Sequence, residues 1–123
     1  MAKTVVEPPT FSRVIERDVG RRTVTIRAEE NEGRAVIADT GVEIGRWVTE
    51  RLAITEGDPL SAETEMTSVF SYAKGSWRTK VRGACTLRAT RTQWLLSADL
   101  DAWEGDEQIF NRHLEVPIKR DLM

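Results

Sequence analysis

Residues 66–118, MTSVFSYAKGSWRTKVRGACTLRATRTQWLLSADLDAWEGDEQIFNRHLEVPI, decide the fold. Apolar and polar side chains alternate through them in short runs broken by turn-forming residues, the period of strands with one covered face and not of helices. A loop at Ala73 to Ser76 sets Tyr72 opposite Trp77, Phe70 opposite Thr79, Ser68 opposite Val81 and Met66 opposite Gly83. A second loop at Ala89 to Thr92 sets Leu87 against Trp94, Cys85 against Leu96, Gly83 against Ala98 and Val81 against Leu100. One apolar face therefore runs through three strands, because side chains two residues apart share a face. The same registers place Lys80 beside Asp101 and Arg82 beside Asp99 on the other face, with Glu63 and Glu65 on the neighbouring strand. Acidic neighbours account for the basic strand without a phosphate ligand.

The final hairpin turns at Glu104 to Gln108, where Gly105 is expected at positive φ. Phe110, Leu114, Val116 and Ile118 then continue the apolar face. Arg112 falls on that face opposite Leu100, and His113 falls on the other, near Asp99.

Outward from this segment the pattern continues. Strands are expected over Phe11 to Asp18, Arg22 to Ala28, Arg34 to Ile37, Arg46 to Thr55, Ala62 to Tyr72, Trp77 to Arg88, Gln93 to Trp103 and Ile109 to Ile118. Residues 1–10, with Pro8 and Pro9, are expected to be a loose tail. The fold expected is all-β: a single domain over residues 11–123, an antiparallel two-sheet sandwich of jelly-roll type with about eight strands. Its core is expected to hold Val81, Cys85, Leu87, Leu96, Leu100, Phe110 and Leu114. A chain of 123 residues has room for one such core and not two.

A net charge of −2 carries none of the basic excess that nucleic acid selects, so no nucleic-acid partner is expected. The single cysteine, Cys85, excludes an intrachain disulfide and a cysteine-rich zinc site. No apolar run reaches the length of a signal-peptide core or a spanning helix, so no membrane partner is expected and the cytoplasm is the expected compartment.

Catalytic chemistry finds little footing. The Gly-x-Ser-x-Gly elbow of α/β-hydrolases does not occur. Cys85 lies among Leu87, Val81 and Leu96, where a thiol acts as a small apolar filler. His113 is the only histidine, and beside Asp99 it reads as a surface pair with no nucleophile next to it. The tripeptide Glu-Gly-Asp occurs at Glu56 to Asp58 and again at Glu104 to Asp106, and turn chemistry explains both better than calcium, which needs six to eight oxygens. No catalytic residue, cofactor or metal ligand is assigned. Of the four tryptophans, Trp77 and Trp94 face the core, while Trp103 and Trp47 remain for a ligand or partner. Trp103, Arg112 and His113 are the candidate interface or ligand residues. Arg112 needs a carboxylate, either from another strand of this chain or from a partner.

Three segments carry a family resemblance: ITEGDPLSAE (Ile54 to Glu63), AWEGDEQIFNR (Ala102 to Arg112) and IKRDLM (Ile118 to Met123), with a looser match at DTGVEIG (Asp39 to Gly45). Together they resemble the C-terminal part of CocE/NonD-type serine hydrolases, the group of cocaine esterase and X-prolyl dipeptidyl peptidase. The resemblance implies a jelly-roll-like sandwich that accompanies an α/β-hydrolase domain and a helical cap, with the catalytic triad outside the matching part. No family catalytic residue maps onto this chain. Lys119 stands where the pattern has proline, His113-Leu114 replaces a frequent aromatic, and the family's sandwich is larger. The implied role is a non-catalytic accessory domain, packing against an α/β-hydrolase domain or a second copy of itself. A free-standing module binding carbohydrate or another small ligand is the alternative.

Overall fold

A computed structural model describes residues 2–121. The protein is all-β, with eight antiparallel strands: β1 (Lys3–Glu7), β2 (Thr10–Asp18), β3 (Thr23–Ile37), β4 (Glu43–Thr55), β5 (Asp58–Lys74), β6 (Trp77–Ala89), β7 (Gln93–Glu104) and β8 (Glu107–Lys119). From β3 to β8 each strand pairs with the next in sequence. The two remaining strands share the far edge of β3: β2 pairs its first part, from Thr23 to Asn31, and β1 its last, from Arg34 to Ile37. Within the described residues no helix is long and apolar enough to cross a membrane.

The expected tail contains a strand. β1 forms because β3 is one long strand and not the two short ones expected, so its last part offers a free edge beside the Lys3–Glu7 segment. Pro8 and Pro9, which lack a backbone N–H, fall between β1 and β2 where ladder pairing is broken. A bulge between Asn31 and Gly33 marks the same point on β3. Gly33 is buried there at a φ of 73°, and a Cβ on it would overlap the carbonyl oxygen of Glu7. Arg34 then ties three strands together, its Nε donating to Glu7 (3.0 Å) and its Nη1 to Glu43 (3.2 Å).

Two expected registers shift by two residues. Gly75 and Ser76 close the β5–β6 hairpin as a two-residue turn, with Gly75 at a φ of 59°. Tyr72 therefore lies opposite Thr79, Phe70 opposite Val81 and Met66 opposite Cys85. Between β6 and β7 the turn is also tighter than expected, because the Thr90 hydroxyl accepts from the Gln93 backbone N–H (3.0 Å). Leu87 pairs with Leu96, Gly83 with Leu100, Arg82 with Asp101 and Lys80 with Trp103. An even shift leaves every side chain on its expected face. The last hairpin keeps its expected register along the strands, with Leu100 opposing Arg112 and Asp99 opposing His113, but the expected turn over Glu104 to Gln108 tightens to Gly105, at a φ of 59°, and Asp106, and a bulge beside Ala102 and Trp103 takes up the difference. Both Glu-Gly-Asp tripeptides are hairpin turns, with Gly57 at a φ of 77°.

All eight strands belong to one hydrogen-bonded sheet. Close approaches between strands run only between ladder neighbours. The apolar face has the expected membership, yet the expected core is not enclosed within this one layer. Val48 is the one buried hydrophobic side chain among the described residues, at 7% exposure. Val81, Cys85, Leu87 and Leu96 are half-buried, and Leu100, Phe110 and Leu114 are exposed.

Candidate functional site

The sheet presents two chemically distinct faces. On the charged face, β6 contributes Lys80 and Arg82, β7 Asp99, Asp101 and Trp103, and β8 Asn111 and His113, all brought together by the ladder registers. The Lys80 ammonium lies over the Trp103 ring, 4.6 Å from its centroid, and covers one face on which a sugar would stack. Trp47 is on the same side of the sheet, its Nε1 donating to Glu29 (3.1 Å).

His113 sits between two carboxylates, with Nδ1 2.7 Å from Asp99 and Nε2 3.4 Å from Glu115. Those hydrogen bonds, first to Asp99 and then to Glu115, raise its pKa above the ordinary histidine value. Two anionic neighbours favour the doubly protonated ring, in which both nitrogens donate and neither is free to act as a base. Cys85 projects from the opposite face, since its neighbour Ala84 is the residue that opposes Asp99. The sheet itself separates the only thiol from the only imidazole.

The apolar face is the more open of the two along β4 and β5. Leu52, Ile54 and Met66 are exposed there, while Arg51 and Glu65 on the other side are half-buried. Towards β8 the face carries Leu100, Phe110, Leu114, Val116 and Ile118, all exposed. At its middle, small side chains on β6 and β7, Cys85 and Ala98, with Gly83 between the strands' larger groups, leave a hollow of about 370 Å³ rimmed by Met66, Leu100 and Arg112.

Arg112 projects from this face. The internal salt bridge considered for it does not form: among the described residues no carboxylate lies within ion-pair distance of its guanidinium. Away from the hairpin ends, where Lys74, Glu104 and Glu107 share it, the apolar face of β4 to β8 carries three charged side chains: Arg46, Glu50 and Arg112. Arg46 is engaged, 2.7 Å from Glu32 and over the Phe70 ring. Glu50 is exposed and, like Arg112, has no ion pair among the described residues. Sequence reading did not single out Glu50, although the alternation Val48, Glu50, Leu52 places a carboxylate in an apolar row.

The three candidates named from sequence thus divide. Trp103 and His113 are on the charged face, each engaged by neighbours, and Arg112 stands alone on the apolar one. No protein-family model, curated protein or solved structure matches the chain, so the chemistry of the two faces is the ground on which its function is read.

Proposed function

We propose that the protein is a non-catalytic accessory β-domain of the cytoplasm that works by laying its apolar sheet face against another protein surface. The observation that carries this reading is the openness of the apolar face: Leu100, Phe110, Leu114, Val116 and Ile118 are exposed on it, and Arg112 among them has no ion pair among the described residues, while on the other face His113 is paired with Asp99 and Lys80 covers Trp103. Exposed apolar areas of this extent on a folded domain mark interaction surfaces. The resemblance of Ile54 to Glu63 and Ala102 to Arg112 to CocE/NonD-type hydrolases gives the reading its context. The resembling segment from Ile118 ends in Leu122 and Met123, which lie outside the described residues. In such an enzyme the domain would pack beside the hydrolase domain and leave the reaction to it.

The test uses both faces. Leu100→Glu should abolish association with any protein that co-purifies or self-associates with the chain, whereas Trp103→Ala on the charged face should leave it intact. The purified chain should hydrolyse p-nitrophenyl esters and X-prolyl amides at the background rate. Turnover that persists through purification and disappears in His113→Ala would refute the non-catalytic role.

A further inference from the structure

Building on the reading of the apolar face as a docking surface, we infer that its occupant is a second copy of this chain, stacked face to face about a two-fold axis that runs along β6.

Surface area is the first argument. The chain exposes 9003 Å². A compact folded monomer of its mass exposes about 6,700 Å² by the usual scaling of surface with mass. Each copy therefore carries roughly 2,300 Å² more surface than a closed domain would, and a pair about 4,600 Å², within the range of about 2,000 to 5,000 Å² that obligate homodimers bury. One layer of sheet cannot enclose its own apolar side. A second sheet about 10 Å away can, and the result is a sandwich assembled from two chains.

Charge placement is the second argument, and it selects the partner. Arg112 lies on β8 and Glu50 on β4, two strands to either side of β6. At about 4.8 Å per strand they are on the order of 19 Å apart in one copy, too far to pair. A two-fold axis along β6 lays the β8 of each copy over the β4 of the other. Arg112 shares its rung with Leu100, Gly83, Ser68 and Val48, and Glu50 is one same-face step along β4 from Val48. Each Arg112 then reaches the Glu50 of the other chain, and symmetry forms the pair twice. Along the middle of β4 to β8 no other unpaired charge projects from this face, since Arg46 is held by Glu32; Lys74, Glu104 and Glu107 lie at the hairpin ends, and Arg13 flanks Glu50 from β2, outside the β4 to β8 overlap. The axis runs above β6, whose apolar-face side chains are small at Gly83 and Cys85, so the hollow there receives the larger residues of the facing copy. A buried arginine and carboxylate left unmatched would oppose any other stacking, and this arrangement satisfies both.

Sedimentation equilibrium over micromolar to submillimolar concentrations tests the assignment, on the wild type, Arg112→Glu, Glu50→Arg and the double swap, with iodoacetamide labelling of Cys85 in parallel. The wild type should dimerise with Cys85 protected. Each single reversal should weaken the dimer by about tenfold or more, since it buries like charges, and the double swap should recover most of the loss. A dimer indifferent to either reversal, or a double swap no better than the singles, would overturn the geometry. A monomeric wild type whose Cys85 reacts freely would overturn the second copy and leave the docking face standing, with another protein as its occupant. A monomer with Cys85 protected would overturn both, because the face would then be covered by the chain itself.

Discussion

Replacing Leu100 by alanine separates what one sheet contributes from what a covering layer contributes. Leu100 is 43% exposed on the apolar face of β7, beside Gly83 and Arg112. Fully burying a leucine side chain is worth about 1.5 to 3 kcal/mol, so the sheet alone realises somewhat more than half of that, and about 1 kcal/mol is left for a partner to supply. In a two-fold pair the residue counts twice. Leu100→Ala should therefore lower the stability of the separated chain by only about 1 kcal/mol and weaken association by about 2 kcal/mol, a Kd increase on the order of twenty- to thirtyfold. Urea unfolding at low and high protein concentration, followed by tryptophan fluorescence, reads both quantities. The wild-type midpoint should rise with concentration, and in the variant most of that rise should vanish. A loss of 2 to 5 kcal/mol that is the same at every concentration, the usual range for leucine in an enclosed core, would mean that Leu100 is covered within its own chain and would refute the reasoning.

Two further perturbations address other parts of the sheet. Gly33→Ala puts a side chain at a φ of 73° against the Glu7 carbonyl. The left-handed conformation alone costs about 1 to 2 kcal/mol, so amide exchange in Lys3–Glu7 should accelerate while β5 to β8 are unaffected, and unchanged exchange in β1 would refute the role given to this glycine. His113 should titrate above the ordinary histidine value of about 6.5 in the single imidazole signal seen by NMR, because Asp99 and Glu115 stabilise its charged form. Since the folded-state value is raised, the stabilisation is complete below the unfolded value and is lost as pH rises through the folded one. Asp99→Asn should bring the midpoint back towards the ordinary value; a wild-type midpoint at or below that value would contradict the pairing.

The strands were legible because each carries its own alternation, and the same alternation assigned the faces correctly from Met66 to Ile118. Register was less legible. The strand pattern of Tyr72 and Trp77 is satisfied equally by a four-residue loop and by the two-residue turn at Gly75 and Ser76, and only the tighter closure allowed by Gly75 at positive φ distinguishes them. An error of two residues costs nothing in face assignment, whereas an error of one would have exchanged Arg82 for Val81. β1 escaped because its recruitment depends on a free edge of β3 far along the chain, and Pro8 and Pro9 give a local signal that points the other way.

The candidate site was half legible for a related reason. Arg112 could be found because a guanidinium among Phe110 and Leu114 breaks a row of apolar residues, and the pairing of His113 with Asp99 followed directly from the hairpin at Gly105. Glu50 could not be connected to Arg112, since nothing in the sequence relates β4 to β8 before the strand order places them at equal distances from β6. The enclosure of the core was not legible at all. Alternation records that one face of a strand is to be kept from water, and it reads the same whether the cover is a second sheet of the same chain, a neighbouring domain or another copy. Val81, Cys85, Leu87 and Leu96 have a core composition in every one of those cases. What distinguishes them is the number of strands available to fold over, and here all eight are committed to one sheet, which is why the proposed cover is a second copy, with Arg112 and Glu50, neither ion-paired among the described residues, as the proposed guides to how it is laid on.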